Sequence, residues 1–189
     1  MFAAGEKRMK YDPDIHHRKS IRLKGYDYSS DGMYFVTICT QDRSMLFGEV
    51  VGADSISARL VLNDAGKMME TLYQDTMHQF HDVSSVKHII MPNHFHGIIA
   101  IARTDDAIVR ADIESAPTTL PAVIQSFKRN TTIKYINAVK EGRLSPFNKR
   151  IWQRNYFERI IRDEDEYLRI WQYIDENPVR WKEDCYYTE

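Results

Sequence analysis

The sequence predicts an α+β protein, a ferredoxin-like βαββαβ sandwich with a mainly antiparallel sheet and one additional helix at the C-terminal end. Three observations carry this. Strand-like and helix-like runs alternate in the order strand, helix, strand, strand, helix, strand, helix. The two central strand runs are separated only by Pro92-Asn93. With 189 residues, 43% of them hydrophobic and 12% aromatic, the chain can bury one core.

The first strand is MYFVTICTQ, residues 33–41, rich in β-branched and aromatic residues and preceded by the turn Ser-Ser-Asp-Gly. A short strand-like run from Ala58 to Leu62 leads to Asn63, an N-cap for a helix reaching about Phe80, with Met68, Met69, Leu72 and Phe80 on its buried face. VKHIIM (86–91) and HGIIAIA (96–102) form the central strands. Residues 103–119 break every periodicity and read as a loop insertion. A second helix runs from Leu120 to about Lys140, with Val123, Ile124, Phe127 and Ile136 inward, Lys128, Arg129 and Lys134 outward, and Gly142 near its stop. RIWQRNYFERII (150–161) alternates as a strand. The last helix opens at Asp163, whose spacing to Glu166 resembles a capping box, and stops at Asn177 before Pro178.

One domain, residues 27–189, therefore follows a basic N-terminal arm, residues 1–26, and ends in a mobile tail at about 184–189. No run is long and apolar enough to span a bilayer, and MFAAGEKRMKYD has no apolar signal-peptide core, so a cytoplasmic location is expected. Cys39 and Cys185 provide neither a disulfide framework nor a thiolate metal site.

The net charge of −1 conceals segregation. Residues 1–26 carry seven positive and three negative charges, and residues 123–162 carry ten and two. The stretches 27–122 and 163–189 are acidic, with six and thirteen, and three and nine. Two readings stand: solvated faces of unlike helices, or a polyanion-binding surface. The second gains from aromatics within the basic blocks (Tyr11, Tyr26, Tyr28; Phe127, Tyr135, Phe147, Trp152, Tyr156, Phe157) on which bases could stack.

MPNHFHGIIA, residues 91–100, holds the chemistry. On a strand, His94 and His96 point to one face and Phe95 to the other, so two imidazoles can share one metal ion or simply be two polar residues on a strand. His88 alternates with Ile90 on the preceding strand, either near such a site or merely half-exposed. On the last helix Tyr167, Ile170, Trp171 and Ile174 fall within an arc of about 100° as a core stripe. Tyr173 and Asn177 lie one turn apart on its flank, at the rim of a site or as a packing tyrosine and a cap.

MPNHFHGII, FKRNTTIKY, WQRNYFERIIRDEDE and YIDENPVRW, in this order and spacing, with RKSIRLKGYDYSSDGMYFVTICTQDR before them, resemble the REP-associated tyrosine transposases. These are relatives of the single-tyrosine insertion-sequence transposases in the HUH endonuclease superfamily, and the resemblance spans about residues 18–184. It implies His94 and His96 as ligands of a divalent metal, Mg²⁺ or Mn²⁺, with Asn177 as third ligand where the insertion-sequence branch often has Gln. It also implies Tyr173 as nucleophile on the added C-terminal helix. The function implied is a metal-dependent single-stranded DNA endonuclease and strand transferase acting beside a DNA hairpin. A 5′-phosphotyrosine intermediate and a free 3′-hydroxyl would result, and a second strand's 3′-hydroxyl could reverse the link without ATP. Metal bound by imidazoles and an amide leaves positions for the anionic oxygens of the phosphodiester, although two histidines would also accept Zn²⁺.

Arg18, Lys19, Arg22 and Lys24 in the arm, and Lys128, Arg129, Lys134, Lys149, Arg150 and Arg154 in the second basic block, are the candidate phosphate contacts. Two competing classes remain: a catalytically inactive, domesticated DNA-binding module, and a small metallohydrolase attacking with water. The insertion-sequence branch acts as dimers that share the tyrosine helix. The short link between Arg162 and Asp163 favours a monomer acting in cis.

Overall fold

In the computed structural model, residues 25–52, 58–102 and 118–187 are described. Their elements are β1 (Gly32–Cys39), β2 (Gly48–Val51), β3 (Arg59–Leu62), α1 (Asp64–His78), β4 (Val83–Met91), β5 (His94–Ile101), α2 (Leu120–Lys140), β6 (Phe157–Ile161) and α3 (Glu164–Glu176). The main sheet has the order β4-β5-β1-β6, every pair antiparallel. This is the ferredoxin-like order, with β5 and β1 as interior strands. β2 and β3 pair separately as a small hairpin sheet. The expected strand 58–62 thus has a partner at 48–51 that the sequence reading missed.

Strand alternation sends side chains to two unlike faces. Tyr34, Val36, Ile38, Phe95, Ile99 and Ile101 pack with Met69, Tyr73 and Met77 of α1 and Val123, Ile124 and Phe127 of α2 in the main core. Phe35, Ile98 and Ile161 pack on the opposite face with Ile170 and Ile174 of α3. Two helices therefore cover one side of the sheet and the C-terminal helix the other.

Each helix has a local reason to begin and end. The Asn63 side chain accepts from the Gly66 amide at 3.0 Å, and Thr119 accepts from Ala122 at 3.3 Å. α2 ends in a Schellman turn: Gly142 has φ +72°, its amide bonds to the Val139 carbonyl, and the Arg143 amide bonds to Ala138. Asp163 caps Glu166 at 2.7 Å, but the Glu166 carboxylate accepts the Arg162 amide rather than that of Asp163, and also pairs with Arg159. The box is thus closed one residue early. α3 ends with Asn177 as its cap, before Pro178.

Several expectations are corrected. Residues 150–156 form no strand beyond the bridge between Trp152 and Thr40, because Ile151 and Trp152 are both buried and break the alternation. Ile136 is exposed, and Thr131, Tyr135 and Ala138 hold the buried positions near the end of α2. α1 stops at His78, so Phe80 lies beyond it, half-buried against the core. No described helix is long and apolar enough to cross a membrane.

Candidate functional site

The central hairpin and its register position the two histidines. Cys39 lies opposite His94 and Thr37 opposite His96, on the face that α3 covers. Phe95 enters the main core on the other face, as the alternation requires. Gly97 is needed there, because a Cβ at this position would sit 2.6 Å from Phe95 Cζ. Both histidines are fully buried, with ring centroids 4.4 Å apart.

Hydrogen bonds orient each ring. Asn93 Nδ2 donates to the carbonyls of Tyr186 at 2.8 Å and Arg43 at 3.3 Å. Its Oδ1 therefore faces His94 Nδ1 at 2.8 Å, and that nitrogen must donate. His94 Nε2 is left with its lone pair and no hydrogen-bond partner. His96 Nδ1 lies 2.8 Å from Thr37 Oγ1, and its Nε2 faces inward. Burial pushes both imidazoles below their ordinary pKa, and the two histidines reinforce this at His96. Asp184 pulls His94 the other way more weakly. Neutral imidazoles are the form a metal requires.

α3 delivers the remaining groups. Lys87 of β4 pairs with Asp175 and lies 4.4 Å over the Trp171 ring, which fixes the helix against the sheet. Tyr173, 39% exposed, reaches its hydroxyl to 3.2 Å from His96 Nε2 and 3.1 Å from Asp184 Oδ2. Asn177 is buried rather than at the rim, donates Nδ2 to Asp184 Oδ2 at 2.5 Å, and leaves Oδ1 without a partner. Burial first, then the Asp184 charge, push the Tyr173 phenol far above its ordinary pKa. The phenol stays protonated in this arrangement.

Asp184 is the residue the sequence reading did not find. A 3-10 turn at Trp181–Glu183 brings the chain back after Pro178, and the ligand atoms of His94, His96 and Asp184 then lie within 4.8 Å of one another. This His-His-Asp cluster could hold a metal ion. Two orphaned buried atoms beside it, His94 Nε2 and Asn177 Oδ1, fit the same conclusion, since a cation would satisfy both. Residues 184–187, read as a mobile tail, form a wall of the site instead: Tyr186 packs on His94 and His96, Trp181 packs on His94, and Arg43 donates to the Cys185 carbonyl at 2.6 Å. The aromatic residues Trp181 and Tyr186 in a polar, acidic stretch were the available signal.

The other candidates divide. His88 lies on the far face, bonded to Glu70 at 2.5 Å and packed on Tyr73, away from the site. Lys128, expected outward, is half-buried and spends its ammonium on the carbonyls of Gln153 and Arg154. Burial pushes its pKa down to about 8. Arg129 and Lys134 are exposed on α2, on the face opposite the histidines. Lys149, Arg150 and Arg154 are exposed around a segment whose backbone joins the end of β1, through Gln41 to Ile151 and Gln153 to Cys39, beside His94. Arg18, Lys19, Arg22 and Lys24 lie outside the described residues, as does most of the 103–119 insertion.

No family model matches the chain. An uncharacterised protein of Haemophilus influenzae is 38% identical over 185 residues, covering 95% of this chain and 98% of that protein. A second H. influenzae protein, provisionally named a REP-associated tyrosine transposase, is 27% identical over 157 residues, covering 82% of this chain and 74% of that one. Among solved structures, a REP-associated tyrosine transposase bound to a REP hairpin superposes with a TM-score of 0.55 at 18% identity. The match covers 86% of this chain and 74% of that one, and it shows a common fold.

Proposed function

We propose that the chain is a REP-associated tyrosine transposase-like protein, a metal-dependent single-stranded DNA endonuclease and strand transferase, a reading supported by its likeness to the named H. influenzae relative and by the shared fold. The observation that carries this is one meeting point: the Tyr173 hydroxyl lies 3.2 Å from His96 Nε2, inside the cluster that includes His94 and Asp184. The Tyr173 ring packs on Phe35 and His96, but its hydroxyl is directed at a buried imidazole nitrogen and a carboxylate rather than at solvent, and that placement supports a chemical role.

In this reading Tyr173 Oη attacks the phosphorus of a phosphodiester. The O–P bond to Tyr173 forms, the bond to the 3′-oxygen breaks, and that oxygen leaves as a hydroxyl by taking up one proton, balancing the one the phenol gives up, to leave a 5′-phosphotyrosine. Asp184 Oδ2, which accepts the phenol's hydrogen bond at 3.1 Å, is the first acceptor of its proton. His94 Nε2, His96 Nε2, the Asp184 carboxylate and Asn177 Oδ1 would hold Mg²⁺ or Mn²⁺. Such an ion supplies positive charge against the phosphate's nonbridging oxygens and lowers the cost of phenolate. Asn93 and Thr37 hold the imidazole rings in register throughout.

The DNA partner is a single strand bearing a hairpin, by analogy with the relative bound to a REP hairpin. Lys149, Arg150 and Arg154 flank the segment whose backbone joins the end of β1 beside His94, a placement that suits phosphate contacts. Arg129 and Lys134, on the other face, suit a longer path of the backbone, and the arm residues Arg18, Lys19, Arg22 and Lys24 complete the basic set. Tyr173 meets the histidines of its own chain, which favours a monomer acting in cis.

Hairpin-bearing single strands incubated with Mn²⁺ should yield a covalent adduct that disappears in Tyr173→Phe while binding persists. Undiminished adduct in that variant would overturn the nucleophile assignment. Cleavage surviving without an adduct would point to a metal-activated water. Binding indifferent to EDTA and to His94→Ala, with no adduct on any strand, would leave a DNA-binding module.

A further inference from the structure

Tyr173 stands between two cavities of about 250 Å³ each. One is lined by Glu176, Asn177, Arg180, Glu183 and Asp184, and its carboxylates make it a poor seat for any other part of a polyanion. The second is of opposite character. Phe35, Phe157, Arg159, Glu166, Arg169 and Ile170 line it together with Tyr173.

The sheet register explains why this second cavity belongs to the same surface as the histidines. Thr37 lies opposite His96 on one side and opposite Phe157 on the other. His96, Thr37 and Phe157 thus form one row across three strands, with Phe157 two strand spacings, about 10 Å, from His96. β6 is the edge of the sheet, and Phe157 and Arg159 share the face of Ile161, which packs on α3. Phe35 links the two ends. Its ring is stacked on His96 with centroids 5.4 Å apart, and it meets Tyr173 and Phe157 edge-on at 6.0 and 6.3 Å.

Phe157 is out of place for a packing residue. Of the aromatics in the second basic block, Phe127, Tyr135 and Trp152 are buried, and Phe147 and Tyr156 pack partly against the main core. Phe157 is 48% exposed, with an apolar ring facing a cavity on an edge strand. The charges around it suit an anionic strand. Glu166 is neutralised by Arg159 and capped by the Arg162 amide, whereas Arg169 makes no ion pair among the described residues. The volume lies just below the range of about 300–1,000 Å³ usual for small-molecule pockets, which suits one flat ring system.

We propose that the cavity bounded by Phe35, Phe157, Arg159, Arg169 and Tyr173 is a nucleobase pocket, which seats a base of the single strand next to the phosphate that Tyr173 attacks. It rests on the nuclease reading above. Phe157 supplies the stacking platform, Arg169 the contact to the flanking phosphate, and Tyr173 the opposite wall. Because every base has a π-face, stacking of this kind tolerates sequence and fixes the strand's position rather than its identity. The pocket therefore sets which phosphate reaches Tyr173, measured from the stacked base.

The test is binding in EDTA, where no cleavage intervenes. The probe is a hairpin oligonucleotide with a thymidine flank carrying 2-aminopurine at each position in turn. One position should be quenched on binding. Phe157→Leu should abolish that quench and weaken binding about tenfold. An abasic site at the same position should weaken the parent protein and leave Phe157→Leu unaffected. Arg169→Gln should keep the quench and lower the salt dependence of binding by about one counterion. Both substitutions are at exposed positions, and circular dichroism checks their fold. Binding with no quenched position, or a quench unchanged in Phe157→Leu, overturns the pocket while the nuclease reading stands. Failure of the parent protein to bind any strand overturns both.

Discussion

Asn93 decides which nitrogen of His94 is available, because its amide group is committed to two backbone carbonyls and presents only an oxygen to the ring. This is legible only in part from MPNHFHGIIA. The H-x-H spacing gives the shared face, but the role of Asn93 depends on Arg43 and Tyr186, both remote in sequence. Asp184 was hidden for the same reason: it follows a 3-10 turn and obeys no periodicity that could mark it. Asp184→Asn can keep one oxygen accepting from Tyr173 and Asn177 while removing the charge and the acceptor that faces the Tyr186 amide. Calorimetric Mn²⁺ affinity in the absence of DNA should fall at least about tenfold. Affinity equal to that of the parent protein would remove Asp184 from the donor set. The His94 and His96 pKa depressions also set a sign. Their folded values lie below the roughly 6.5 of an unfolded chain, so below about pH 6.5 the unfolded chain takes up protons first and stability falls with pH. Between about pH 7.5 and about pH 5.5 the metal-free protein should lose about 1 kcal/mol per histidine in urea unfolding, and His94→Gln should lose less.

At the scale of elements, β4-β5 and α3 were plain in the sequence because their patterns are strong and their ends punctuated: Pro92-Asn93 between the strands, Asp163 and Pro178 around the helix. The β2-β3 hairpin was half visible, since GEVV is too short to declare itself without its partner. Residues 150–156 misled by alternating in type while their burial does not alternate. A different dependence is concentrated in β5. Gly97 leaves room for the Phe95 ring to fold back along its own strand, and no positive φ is involved. Gly97→Ala should cost roughly 1–3 kcal/mol through overpacking, read as a lower urea midpoint with unchanged slope. It should also weaken metal binding, because His96 and Gly97 share the backbone that must move. An unchanged midpoint would show that Phe95 repacks without strain.

For the whole molecule, the site is assembled from the two interior strands, one helix and a returning C-terminal segment of a single chain. A mixture of Tyr173→Phe with His96→Ala should therefore form no adduct, since neither chain contains a complete set. Light scattering should report a monomer with and without DNA. Recovery of adduct in the mixture would require tyrosine exchange between chains. The two faces of the sheet are very unequal: among the described residues, twenty buried residues form the core under α1 and α2, and five form the one under α3. The plate that holds the histidines and the helix that carries Tyr173 thus belong to cooperative units of different strength. Slow-exchanging amides should map to β1 and β5, with α3 opening well before global unfolding. Under the proposed nuclease reading, competence for strand cleavage amounts to a docking equilibrium of one helix, and warming should extinguish it while the rest of the protein is still folded.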